Sequence, residues 1–226
     1  LIAVLDDKKA DTSTVYDSKG GRIQYYGRSV KDSNGKGYGK ISLARGFELS
    51  SNTVLVQSVY DSYKNNPKQF VDRINSYGLN KPLGLPIKGE GKPVIPQPGT
   101  NRWSGVALPW MAFGYGLSVT PLQTLTLYNA VANDGVMVKP IFVSEIKEWN
   151  KTIKKYNTEV INPKICSQET LDKVQAVLEN VVKRGTGSKL YSKDFSMAGK
   201  TGTAQVNYKD KSKLYYASSF VGYFPA

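Results

Sequence analysis

The stretch Lys200-Thr201-Gly202-Thr203 holds residue types that could do chemistry together. Its flanks alternate in the manner of a strand, from Phe195 to Val206. A lysine held on a strand presents a fixed positive charge. Gly202 leaves the backbone open, so an extended ligand can approach along the strand edge. Thr203 adds a hydroxyl and a main-chain N–H that can face negative charge developing on an oxygen. Without a second motif, a simpler reading would prevail: a lysine and two threonines facing solvent. Gly199-Lys200-Thr201 also resembles the end of a phosphate loop, G-x-x-x-x-G-K-[ST]. That loop needs its first glycine where Asp194 stands, and a helix where Ala204-Gln205-Val206 reads as strand.

A second string, Ser50-Ser51-Asn52, stands about 150 residues earlier, between helical segments. S-x-N is weak alone, and serine and asparagine are common helix caps. The chain has no histidine, which excludes a Ser-His-Asp triad within it and any histidine-ligated zinc. Acyl transfer built here would need a lysine as base. The single cysteine, Cys166, can form neither an internal disulfide nor a metal cluster. A formal charge of +13 favours anionic partners, or simply a lysine-coated surface. The lysines are dispersed, and no helix-turn-helix or aromatic RNA motif is visible, so no nucleic-acid partner is expected.

S-x-N followed by K-T-G are two of the three motifs of penicillin-binding proteins and serine β-lactamases. Further strings agree, in order, over nearly the whole chain. They are Gly114-Tyr115-Gly116-Leu117-Ser118-Val119-Thr120-Pro121-Leu122-Gln123, Asn133-Asp134-Gly135 with Lys139-Pro140, Arg184-Gly185-Thr186-Gly187, and Ala198-Gly199 before the lysine. The chain therefore resembles a class B penicillin-binding protein, a monofunctional D,D-transpeptidase. The resemblance implies Ser50, Asn52 and Lys200 as catalytic residues. Ser50 would relay a proton, Asn52 would bind the substrate amide, and Thr201, Gly202 and Thr203 would bind substrate beside Lys200. It implies no metal and no cofactor. Implied partners are peptidoglycan stem peptides, β-lactams, and a glycosyltransferase or division complex. The parent would be anchored in the inner membrane with its catalytic part outside. A carboxypeptidase or β-lactam sensor of the same fold, and a non-catalytic binder of anionic polymer, stay open.

The third motif, S-x-x-K, carries the family's nucleophile at a helix start. It occurs here as Ser33-Asn34-Gly35-Lys36, where glycines at 35, 37 and 39 deny it a helix. Serine and lysine would then not share a face, and the string is read as a decoy. Leu1 to Asp7 resembles the rear of the nucleophile's own helix. The expected serine lies roughly one to three turns upstream of Leu1, so no nucleophile is expected in the chain.

The elements that must position these strings follow from periodicity and punctuation. Gly20-Gly21, Gly27 and the glycines at 35 to 39 mark strands and tight turns. One helical stretch is expected at about 41 to 62, with Leu55, Val56, Val59 and Tyr60 at helical spacing. Asn66-Pro67 opens a helix that Gly78 stops, and Thr120-Pro121 opens another that ends near Gly135. Six prolines from Pro82 to Pro109 interrupt any regular element. Residues 141 to 160 read as a hairpin, with Ile141-Phe142-Val143, a turn near Asn150, then Thr152-Ile153. Ser167 opens an amphipathic helix with Leu171, Val174, Leu178 and Val181 on one face. A strand pair closes the chain, Phe195 to Val206 and Tyr215 to Tyr223, joined through 207 to 214. The expected class is α+β, an antiparallel sheet flanked by helices with an all-helical subdomain. The expected organisation is a single incomplete transpeptidase domain over 1–226, truncated at both ends. Its helical part would be 41–135, and 167–226 would supply a helix plus the strands carrying the lysine.

Overall fold

Serine, threonine and proline set where the longer helices begin. A computed structural model describes residues 1–206 and 211–226. In chain order the elements are α1 (Ile2–Asp6), β1 (Val15–Asp17), β2 (Arg22–Tyr25), β3 (Arg28–Lys31), β4 (Lys40–Ser42), α2 (Leu43–Glu48), α3 (Asn52–Tyr63) and α4 (Pro67–Ser76). Then follow α5 (Ala107–Met111), α6 (Pro121–Ala132), β5 (Met137–Val138), β6 (Glu145–Glu148), β7 (Lys151–Lys155), β8 (Val160–Asn162), α7 (Gln168–Arg184), β9 (Ala198–Val206) and β10 (Tyr215–Tyr223).

The caps act locally. Ser42, Ser51 and Ser167 each accept a bond from the backbone N–H three residues on. Thr120 and Gln123 form a reciprocal capping box with Pro121 at the first helical position. Strand pairs among the described residues are all antiparallel: β1 with β4, β2 with β3, β5 with β8, β6 with β7 and β9 with β10. The architecture is α+β, with helices dominating the middle of the chain. The longest pair runs from Ala198 opposite Tyr223 to Val206 opposite Tyr215. α7 packs along it, with Leu171, Val174, Leu178 and Val181 buried as their spacing predicts. The same core takes in Val4, Leu43, Val54, Tyr63 and Val71.

Four expectations need correction. The single helix expected at 41 to 62 is two helices. α2 closes in a Schellman turn: Ser51 N–H donates to Gly46 O at 2.8 Å and Ser50 N–H to Phe47 O at 3.1 Å. Ser50 takes the left-handed position, φ +54°, where glycine is usual. α3 then folds back so closely that a Cβ on Gly46 would stand 2.4 Å from Val54 Cγ1. The hairpin at 141 to 160 starts later than expected. Ile141-Phe142-Val143 is half exposed outside any strand, and β6 pairs with β7 around Trp149-Asn150. Pro140 lacks the N–H that would extend the β5–β8 pairing into it. The Pro82–Pro109 excursion contains the opening of α5, because Pro109 sits in a first turn, where helical N–H groups have no partner to lose. It also forms a bridge between Val94 and Ser118. Finally β9 begins at Ala198 rather than Phe195. Of the predicted link after β9, residues 207 to 210 lie outside the described residues, and Lys211–Lys213 form a 3-10 turn.

Candidate active site

β9 pairs with β10 along one edge and, among the described residues, with no strand along the other. Gln205 N–H donates to the Tyr115 hydroxyl at 3.0 Å, and the Thr201 carbonyl accepts from Lys200 Nζ at 3.1 Å. Both groups face away from β10. Because antiparallel pairing alternates residue by residue, Thr203 presents its N–H and C=O to that same edge.

The Schellman turn brings Ser50 to this edge. Lys200 Nζ donates to Ser50 Oγ across a sequence separation of 150 residues. The ammonium also lies over the Phe47 ring, 5.6 Å from its centroid. Burial pushes the Lys200 pKa down to about 8, because the charged form loses hydration. Thr201 Oγ1 lies 2.6 Å from Thr186 Oγ1. Gly202 faces Ser219, whose Oγ would stand 2.7 Å from an added Cβ. Thr203 is exposed in the cleft. Asn52 is present too, but its amide nitrogen donates to Lys31 O at 2.8 Å, which leaves its carbonyl oxygen for a ligand. Every residue predicted for the site thus lines one cleft of about 610 Å³. A smaller apolar cavity of about 220 Å³ among α1, α4, α6 and α7 carries no charged side chain.

Ser33 lines the cleft as well, yet Ser33-Asn34-Gly35-Lys36 is a turn, not a helix. Asn34 Oδ1 accepts from the Lys36 and Gly37 N–H groups, and Gly35 and Gly37 have φ near +70°. A further S-x-x-K string, Ser144-Glu145-Ile146-Lys147, runs into strand β6, where Lys147 pairs with Glu145.

Two acidic residues at the site had no place in the motif reading. Asp32, 3% exposed, accepts from both the hydroxyl and the N–H of Thr53 and from the Ser51 hydroxyl. It pins the start of α3. Glu48, fully buried, is bridged by Arg45 at 2.8 Å and Arg184 at 2.9 Å. A lone acid two residues before Ser50 on an apolar helix face was the available signal for Glu48. Asp32 had none, since its partners are set by the fold.

This arrangement can hold an anion against Lys200, pass a proton through Ser50, and stabilise an oxyanion at Thr203 N–H. The strain at Ser50 fits such a role, because a non-glycine residue in the left-handed region costs about 1 kcal/mol or more. Ser50→Gly is therefore expected to unfold at the same or higher urea concentration while losing the hydroxyl that Lys200 contacts. A clear drop in stability would mean the hydroxyl contributes more than the strain.

The penicillin binding protein transpeptidase domain family matches residues 1–226, and the chain belongs to it. The stage V sporulation protein D of Bacillus subtilis (strain 168) is 33% identical over 160 residues, 68% of this chain and 24% of that protein. The solved D,D-transpeptidase domain of a peptidoglycan glycosyltransferase from Eggerthella lenta is 25% identical with a TM-score of 0.82, over 98% of this chain and 54% of that one. Penicillin binding protein 3 from Mycobacterium tuberculosis, solved with aztreonam, is 27% identical with a TM-score of 0.81, over 98% and 50%. The chain spans about a quarter of the length of the curated relatives it matches. No helix among the described residues is long and apolar enough to cross a membrane.

Proposed function

We propose that this chain supplies the substrate cleft of a peptidoglycan D,D-transpeptidase, which cross-links stem peptides through a serine acyl-enzyme and is acylated by β-lactams. The observation that carries this reading is the contact of Lys200 Nζ with Ser50 Oγ beside the edge of β9 that faces away from β10. The terminal carboxylate of a D-Ala-D-Ala stem sits against Lys200 and the hydroxyls of Thr201 and Thr203. Main-chain pairing along Thr203 aligns the scissile carbonyl, and Thr203 N–H stabilises its oxyanion. The nucleophilic serine bonds to the carbonyl carbon, and the bond to the terminal D-Ala nitrogen breaks. That nitrogen takes a proton relayed through Ser50, which Lys200 holds in place. Asn52 Oδ1 accepts from the substrate amide. An amine of a neighbouring stem then attacks the ester and frees the serine. Neither Ser33 nor Ser144 shares a helix with the lysine three residues on, so the reading assigns the nucleophile to none of residues 1–226.

In this reading the parent protein is anchored in the membrane of the bacterial cell envelope. It faces outward and works beside a glycosyltransferase and a division or elongation complex. The test is covalent labelling of the full-length protein with a fluorescent penicillin, followed by turnover of a D-Ala-D-Ala donor with an amine acceptor. Labelling and an amide product are expected. Labelling with hydrolysis alone would point to a carboxypeptidase or a sensor. No labelling, with salt-sensitive binding to anionic polymer that ignores Lys200, would replace the reading by a non-catalytic one.

A further inference from the structure

We propose that Glu48 is a positioning residue for the cleft, which holds Thr186, and through it Thr201, in register with Ser50. Its part in acyl transfer rests on the transpeptidase reading. Burying a carboxylate completely is costly unless it is paired, and removing one partner of such a pair leaves an uncompensated charge. Here both oxygens are used. Oε2 meets Arg45 Nη1 at 2.8 Å and Oε1 meets Arg184 Nη2 at 2.9 Å. Arg45 Nη1 also donates to the Arg184 carbonyl at 3.1 Å, at the end of α7. The main chain of Glu48 continues the clamp. Its carbonyl accepts from Thr186 N–H at 3.0 Å. Gly185 lies so close that an added Cβ would stand 2.4 Å from that carbonyl. Residues 184 to 186 are thus laid along the end of α2.

The next link reaches the cleft. Thr186 Oγ1 stands 2.6 Å from Thr201 Oγ1, and the Thr201 carbonyl accepts from Lys200 Nζ. Ser50 lies two residues beyond Glu48, in the turn that ends α2. One carboxylate therefore ties together the helix that presents Ser50 and the segment that touches the lysine strand. Stability alone would not demand it, because apolar side chains of similar volume replace buried ion pairs at little cost. What an apolar replacement cannot do is hold the α7 terminus in one register against β9.

The test uses the full-length protein with Glu48→Gln, Thr186→Val, the double variant, and Arg184→Ala. The last removes one arm of the clamp from its more exposed end, so it remains informative if Glu48→Gln does not fold. Saturation kinetics of penicillin acylation separate the binding constant from the acylation rate constant. Glu48→Gln and Arg184→Ala are expected to lower the acylation rate constant about 10- to 100-fold, with binding changed far less. The double variant should be no slower than the slower single variant, because both act through one contact. Losses that multiply, or that merely track the melting temperature, would overturn the proposal. Amide exchange gives a readout that does not need activity. The Thr186 amide should exchange at least about tenfold faster in Glu48→Gln and Arg184→Ala while α6 amides stay unchanged. Unchanged exchange at Thr186 overturns the proposal. Faster exchange in a protein that takes no penicillin upholds the clamp and rejects the transpeptidase reading instead.

Discussion

Lys200→Met is expected to lose about 10²- to 10⁴-fold in the rate of penicillin acylation, the span typical of a positioned proton-transfer group or charge. The same variant is expected to gain about 1–3 kcal/mol of stability at neutral pH. Both effects come from one feature. Lys200 is charged where burial holds its pKa near 8, against 10.5 when exposed. Keeping it protonated at pH 7 opposes folding. Between the two values the unfolded chain binds more protons than the folded one, so stability rises with pH through that window. The cost is fully present below pH 8 and gone above the unfolded value. Methionine carries no such cost and should abolish the rise. Acylation should move the opposite way. The wild-type rate should fall as pH climbs through about 8 and the ammonium is lost. Lys200→Arg stays charged throughout and should show a lower but flat profile. Urea titrations at pH 7 and pH 10, with acylation rates over the same range, check both. A wild-type rate flat across pH 8 would mean that the charge on Lys200 is not what the cleft uses.

Local signals were the legible part of this fold. Thr120, Pro121 and Gln123 announce a helix start by chemistry contained within four residues, and the capping box is there. The face of α7 could be read because Leu171, Val174 and Leu178 meet one core and Val181 on the same face is buried with them. The site strings were legible for a related reason. Lysine, glycine and threonine on a strand, paired with a distant Ser-x-Asn string, describe a cleft wall before its geometry is known. What lay opposite was not legible. The apolar spacing of residues 41 to 62 continues through both α2 and α3, and the break is a main-chain event at Ser50. A glycine there would have signalled it, but the chain carries a serine whose hydroxyl meets Lys200. Strand identity at 141 to 143 failed similarly, since an apolar triplet becomes a strand only when a partner pairs with it. The buried acids were the least visible. Glu48 meets Arg184 across 136 residues of sequence, and no periodicity reports such a contact.

Asp32→Ala is expected to cost about 3–4 kcal/mol, near the upper end for a single substitution. The carboxylate accepts the Ser51 hydroxyl at 3.0 Å, the Thr53 hydroxyl at 2.9 Å and the Thr53 N–H at 2.9 Å. Each donor is buried, Ser51 and Thr53 both at 0% exposure. Ser51 and Thr53 can turn toward each other, since their oxygens lie 3.2 Å apart, but that satisfies one hydroxyl only. The Thr53 N–H is left without a partner at the first turn of α3. The helix also loses a negative group where its dipole favours one. Asp32→Asn should cost less, about 1–2 kcal/mol, because its carbonyl keeps the Thr53 N–H while its amide turns the hydroxyls into acceptors. The order alanine below asparagine below wild type in urea midpoint, at constant m-value, is the expected result. An alanine variant within about 0.5 kcal/mol of wild type would mean that the turn carrying Ser50 and Asn52 holds its shape without this anchor. In that case the Gly46–Val54 packing, rather than the buried acid, fixes the turn.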